Sequence, residues 1–334
     1  MLRLFSRLFW WGIVCALLVA GAAVWYAMQP LSQRATVLDV EVARGGSMRD
    51  VARQIAEQGI DVSPTFLVWV ARLSGRANRV QAGNYRIEQG ITPWGLIMLL
   101  SNGSTSYAQV AFIEGWNFRQ LRAALDAMPD LNHDTLGLSD AEVLAKLDMQ
   151  EASPEGLFFP DTYFVSRGIS DLEVLRRAHE QLQKVLDREW AQRSPGLPVS
   201  TVYEGLTLAS VIEKETGTAS DRDKIASVFV NRLRIGMPLQ SDPTVIYGMG
   251  VNFDGNLRRR DLQADNPYNS YTRRGLPPTP IAMPGLAALR AAFNPARTDF
   301  LYFVSRGDGS SQFSRSLDEH NRAVARYQKG KGAR

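Results

Sequence analysis

Between Leu206 and Tyr247 the chain reads LTLASVIEKETGTASDRDKIASVFVNRLRIGMPLQSDPTVIY, a stretch holding one carboxylate placed for proton transfer, Glu215, and a second conspicuous acid, Asp242. On a helix, Leu208, Ala209, Val211 and Ile212 share one apolar arc, and Glu215 projects between Val211 and Ile212. Glu213 falls at the margin of that arc and Lys214 points away. A carboxyl turned from water is harder to ionise, so its pKa rises toward the range where it can donate a proton at neutral pH. Cleavage of a glycosidic bond needs such an acid. A helix-end glutamate paired with an Arg or Lys gives the same projection, so helical geometry alone leaves both readings open.

Asp242 lies in Ser241-Asp242-Pro243-Thr244, whose composition suits a turn or helix cap. The favoured reading is a turn aspartate beside the site. The other is the second carboxylate of a hydrolase, which would activate water. Amide and phenol side chains line sugar sites by hydrogen bonding and stacking. Asn231, Gln240, Asp242, Tyr247, Tyr268, Asn269 and Tyr271 are therefore the candidate substrate-binding residues. Core packing is the alternative for either tyrosine of Tyr268-Asn269-Ser270-Tyr271 taken singly.

Other chemistries lack their residues. His133, His179 and His320 follow no metal-ligand spacing, and HExxH is absent. His179 is expected to be solvated on a charged helix face. Cys15 is the single cysteine, and no GxSxG, P-loop or dinucleotide fingerprint occurs. No metal and no cofactor are expected.

The segments ASVIEKET, DRDKIASVFVNRLRIGMPLQSDPTVIYGMG and NPYNSYTRRGLPPTPIAMPG, with EGLFFPDTY at Glu155–Tyr163, closely resemble the endolytic murein transglycosylases, the MltG/YceG-like family. The likeness runs from about Val40 to Tyr327. It implies a membrane-anchored enzyme that cuts peptidoglycan glycan strands internally, with Glu215 of the Glu215–Thr216 pair as the catalytic acid. Such an enzyme closes a 1,6-anhydro ring on muramic acid without consuming water. It also implies a LysM-like N-terminal region, a place near the peptidoglycan synthesis machinery, and a role in ending glycan elongation. A hydrolytic muramidase using Asp242 and a noncatalytic wall-binding scaffold are the alternatives.

Several elements must position these residues. Hydrophobic residues at 45% and charged residues at 22% of 334 describe a globular chain. Leu8–Met28 is an uncharged run of 21 residues preceded by Arg3 and Arg7, with no further basic residue before Arg34. That length spans a bilayer, and the charge bias predicts a cytoplasmic N-terminus with the body in the periplasm, held at the inner membrane. A signal peptide cleaved near Ala20-Gly21-Ala22 is the competing reading. The net charge is +4, with basic clusters at Arg258–Arg260, Arg273–Arg274 and the Lys329/Lys331/Arg334 tail. These suit an anionic polymer, a phospholipid surface or plain solvation. No nucleic-acid motif accompanies them.

The expected fold class is α+β: an N-terminal transmembrane helix, a LysM-like α+β module, then a mainly helical catalytic domain with a small β element. The boundaries drawn are 1–7 cytoplasmic, 8–28 membrane, 29–38 linker, 39–128 module, 129–200 helical connection, 201–328 catalytic domain and 329–334 basic tail. Inside the module, three strand–turn–helix units are expected: Val40/Val42 with Met48–Ala56, Tyr85/Ile87 with Pro93–Leu100, and Val110/Phe112 with Trp116–Leu125. Many α+β domains alternate this way, so sugar binding does not follow from the pattern. Capped or amphipathic helices are expected at 136–146, 171–191 and 317–327. A hairpin through Gly307-Asp308-Gly309 should follow strand Phe300–Val304, and a loop-rich stretch should follow Met237.

Overall fold

The computed structural model describes residues 2–43, 45–103, 107–215 and 218–328. Thr216 and the basic tail 329–334, both named above, lie outside the described residues. The chain divides into two compact units: residues 1–108 with 164–167, and 109–163 with 168–334.

The first unit contains α1 (Leu2–Ala27), β1 (Ser32–Gln33), β2 (Val37–Val42), α2 (Met48–Glu57), β3 (Ile60–Asp61), α3 (Pro64–Leu73), β4 (Gly83–Glu88) and α4 (Pro93–Asn102). β2 and β4 pair antiparallel with Val40 opposite Tyr85. Their inward faces, together with Ile55, Leu67, Leu96, Ile97 and Leu100, make a closed apolar core. Helix starts follow the capping chemistry expected. Ser47 forms a reciprocal box with Asp50, and Thr92 accepts from Gly95 N–H ahead of Pro93. α1 is 26 residues long, with side chains described at positions 11, 13–15 and 17–27. Among the described residues no helix is long and apolar enough to cross a membrane, so the span expected over 8–28 rests on the sequence.

The second unit begins within β5 (Tyr107–Ala111) and continues through α5 (Phe118–Asp126), β6 (Leu131–Asn132) and α6 (Asp140–Lys146). β7 (Thr162–Ser166) starts in this unit and ends in the first, after which β8 (Ile169–Ser170) and α7 (Asp171–Ala191) lead to the central pair α8 (Val202–Glu215) and α9 (Ala219–Arg234). α10 (Asp242–Met249), α11 (Arg259–Gln263) and α12 (Leu286–Phe293) precede the hairpin β9 (Tyr302–Ser305) and β10 (Ser311–Ser314), and α13 (Leu317–Tyr327) closes the chain. The mixed α+β class is as expected.

The third strand–turn–helix unit, placed in the module by the boundary at 128, folds into the second unit. Phe118 supplies the reason: its ring stacks on Phe158 at 5.5 Å and its N–H bonds the Glu155 carboxylate. The stretch after Met237 is also less irregular than expected, since it holds α10, α11 and α12. Their apolar runs are short, and Pro243 and Pro284 sit at or near the starts of α10 and α12, which masks the helical period. His179 is half-buried, with Nδ1 2.9 Å from the Leu157 carbonyl, rather than solvated. Part of the basic clusters is paired locally: Arg258 with Asp254 at 2.6 Å, Arg260 with Asp261 at 3.7 Å and Arg273 with Asp265 at 3.0 Å.

α8 is buried along Gly205–Ile212 and packs on α12. Gly205 allows this approach, because a Cβ there would lie 2.2 Å from the Phe293 ring. Gly205→Val should therefore lower stability by about 1–3 kcal/mol through overpacking. The midpoint of urea unfolding measures this, and an unchanged midpoint would refute the packing argument.

Candidate active site

α8 carries Glu215 to its last turn, where the helix leaves its buried surroundings and meets an open cleft of about 650 Å³. Gln240, Asp242, Tyr271, Arg232 and Tyr302 share the lining with Glu215. Burial pushes the Glu215 carboxyl up to about 7, and the negative charge of Asp242 adds to the rise. Two groups act the other way: Ser241 Oγ, which donates to Glu215 Oε1 at 2.5 Å, and the Arg232 guanidinium. Arg232 is itself buried and held by the Leu301 and Leu239 carbonyls, both at 2.7 Å. Its position is fixed independently of any substrate.

Asp242 opens α10, and its Oδ1 accepts the Tyr271 hydroxyl at 2.5 Å. It is thus the first residue of a helix, not a turn residue, while its nearness to Glu215 is as expected. Gln240 sits at φ +52°, a left-handed conformation uncommon for a residue with a side chain. Its backbone N–H is tied to the Ser270 carbonyl, which holds the chain in that geometry beside the cleft.

The other candidates separate. Tyr247 and Tyr268 meet edge to face at 4.8 Å and line a second cavity of about 920 Å³ rather than the Glu215 cleft. Asn231 and Asn269 line neither cavity. Asn231 Nδ2 donates to the Thr298 and Phe300 carbonyls, tying α9 to the segment before β9. Asn269 is fully buried, with Nδ2 donating to three carbonyls of 261–264 and Oδ1 accepting from Tyr271 N–H. Both amides therefore shape the walls without facing the opening. Glu213, at the margin of the arc, is partly buried, its pKa is raised by that burial, and it accepts Gly285 N–H at the start of α12.

Sequence reasoning passed over Ser241, Arg232 and Glu155. A signal for Arg232 existed, because it follows Ile225, Val228 and Phe229 on one helical stripe, the same pattern that singled out Glu215. Glu155 stood in a quoted motif but had no role. Buried, it accepts Phe118 N–H at 3.0 Å and the Tyr247 hydroxyl, and desolvation pushes it up to about 7. Ser241 gave no signal, since its partner is 26 residues away.

One group of ligand-capable atoms occurs among the described residues: Asp126, His133 and Asp171, all within 4.8 Å of one another. This places His133 among acids, which its sequence spacing did not suggest. Asp171 already accepts Asp134 N–H, Thr135 N–H and the Thr135 hydroxyl, so its burial is explained by the protein alone.

A desolvated glutamate with a titration point near neutrality, facing an open polar cleft, is an acid/base centre able to lend a proton and recover it. A YceG-like family profile matches residues 40–326, and the chain belongs to that family. Among its relatives, an endolytic murein transglycosylase of Bacillus subtilis is 32% identical over 93% of this chain and 91% of its own length. Another from Streptococcus pneumoniae is 25% identical over 86% of this chain, which spans 58% of that protein. The crystal structure of a YceG-like protein from Listeria monocytogenes is 26% identical and matches at TM-score 0.54, over 86% of this chain and 98% of that one.

Proposed function

We propose that the chain is a lytic transglycosylase that cuts the β-1,4 bond between N-acetylmuramic acid and N-acetylglucosamine inside peptidoglycan glycan strands. The single observation carrying this reading is the Glu215 carboxyl, held near neutrality at the cleft. Protonated Glu215 gives its proton to the glycosidic oxygen as the C1–O bond breaks. The resulting carboxylate takes the proton of the muramic acid C6 hydroxyl as that oxygen attacks C1. A 1,6-anhydro end forms, the acid is regenerated, and no water is consumed. Arg232 and the Tyr271 hydroxyl supply fixed dipoles and charge beside the reacting centre.

Asp242 in the same cleft favours one second reading, a muramidase in which this carboxylate activates water. Its acceptance of the Tyr271 hydroxyl supports a structural role instead. A noncatalytic wall-binding scaffold would leave the desolvation of Glu215 without a use.

The proposal extends to place. The uncharged run Leu8–Met28 behind Arg3 and Arg7 supports a single-pass inner-membrane anchor with the catalytic unit in the periplasm. The capped strand–helix units of the first unit are compatible with a LysM-like module, and glycan binding by it is what the family resemblance implies. Cutting near the membrane would act on nascent strands beside the synthesis machinery and end their elongation. Alkaline phosphatase fused after Ala35 should be active. An inactive fusion, or a mature chain beginning near Ala22, contradicts the anchor.

Activity should be the same with and without EDTA, because the mechanism uses only protein protons. A loss restored by zinc or calcium would contradict it and point to Asp126, His133 and Asp171.

A further inference from the structure

Lys214 and Glu215 are consecutive on α8, and Asp242 and Pro243 are consecutive on α10. Glu215 and Asp242 face the catalytic cleft, whereas Lys214 and Pro243 line the 920 Å³ cavity floored by Glu155, Tyr247 and Tyr268. The two cavities therefore adjoin along both helices, and a strand cut at Glu215 has a neighbouring portion within reach of the second.

The charge of that cavity is unevenly compensated. Arg122 donates to the Thr135 and Leu138 carbonyls and lies 3.6 Å from Asp140. Arg119 is exposed, and its guanidinium has no hydrogen-bond or ion-pair partner among the described residues. Lys214 is also exposed, and its one partner is the neutral Gly115 carbonyl at 3.1 Å. Asp126 lies two helical turns along α5 from Arg119. Glu155 spends its acceptors on Phe118 and Tyr247. The rim thus offers two cations that form no ion pair, Lys214 acting on Glu213 only through its charge, over a floor of phenols able to bond amides.

We propose that this cavity binds the peptide stem carried by the muramic acid, with Arg119 and Lys214 holding a stem carboxylate. This rests on the glycan-cleaving reading above and adds a feature of the substrate to it. A stem leaves the sugar through an amide-linked lactyl group and presents amides and free carboxylates, the partners that phenols and a planar guanidinium recognise. In a stem-bearing strand the lactyl carboxylate is tied up as an amide, so the carboxylates these cations can meet are those of the stem itself.

Full-length protein carrying Glu215→Gln, in which turnover is slowed, tests this with uncrosslinked stem-bearing strands whose stem carboxylates are free or capped as amides. Strands with free stem carboxylates should bind about tenfold tighter, as expected for loss of one charge-assisted contact in the capped strands. Adding Arg119→Ala and Lys214→Ala should abolish the difference, while Arg119→Lys should retain most of it. Equal affinity for the two strands, or a preference that survives both alanine substitutions, overturns the proposal. Parallel digestion by the parent enzyme keeps the two readings apart. A preference for free stem carboxylates without anhydro products would remove the transglycosylase reading and leave the stem site standing.

Discussion

Glu215→Gln should lower turnover by roughly 10²–10⁴-fold while the protein stays folded. Glutamine keeps the shape and can still accept from Ser241 Oγ, which donates to this side chain at 2.5 Å. What it loses is the one titratable proton that the mechanism uses twice, first as acid and then as base. Glu213→Gln should cost far less, because its contribution is a bond to Gly285 N–H, which an amide oxygen can also accept. Rates on purified sacculi, with circular dichroism of each variant, check the pair. If Glu215→Gln kept parental activity and Glu213→Gln did not, the placement of the acid on α8 would be wrong.

The pH profile should show the second large effect. With the Glu215 carboxyl near 7, kcat/KM should fall above that pH by about tenfold per unit, because only the protonated acid starts the reaction. Two substitutions should move this limb in opposite directions. Ser241→Ala removes the bond that favours the carboxylate, so the limb moves to higher pH. Asp242→Asn removes a negative charge that disfavours the carboxylate, so the limb moves to lower pH. Shifts of the opposite sign would contradict the electrostatics of the cleft. Stability carries the same signature. The folded carboxyl holds its proton up to about 7, while its ordinary value is 4.5. The folded state therefore binds the extra proton between these values, and stability falls as pH rises through that window. Glu155, also pushed up to about 7, adds to the slope, and Glu155→Gln should flatten it in urea titrations at pH 5 and pH 8.

The sequence was most legible where local chemistry decides local structure. Asp171–Ala191 and Leu317–Tyr327 appear with the bounds that composition and period dictate, and Ser139 with Glu142 caps the helix expected over 136–146, which starts at Asp140. Glu215 was legible because a charge on an apolar stripe is an anomaly visible without tertiary structure. Arg232 had the same mark and went unread. What could not be read depends on distant pairing. Nothing local reveals that Asn269 turns inward to three carbonyls, that Asn231 ties α9 to the β9 segment, or that Tyr247 and Tyr268 face a second cavity. The module boundary slipped for a related reason: α5 resembles the earlier capped helices, but Phe118 and Glu155 bind it to the second unit.

The central claim is that Glu215 alone shuttles the proton and no water enters. Mass analysis of strand ends from sacculi digested in isotopically labelled water tests it directly, since anhydro and reducing ends differ by one water. The account predicts anhydromuramic ends without label, from the parent and, at reduced rate, from Asp242→Asn. Reducing ends carrying label from the parent, with complete loss of activity in Asp242→Asn, would contradict it and establish hydrolysis through the second carboxylate.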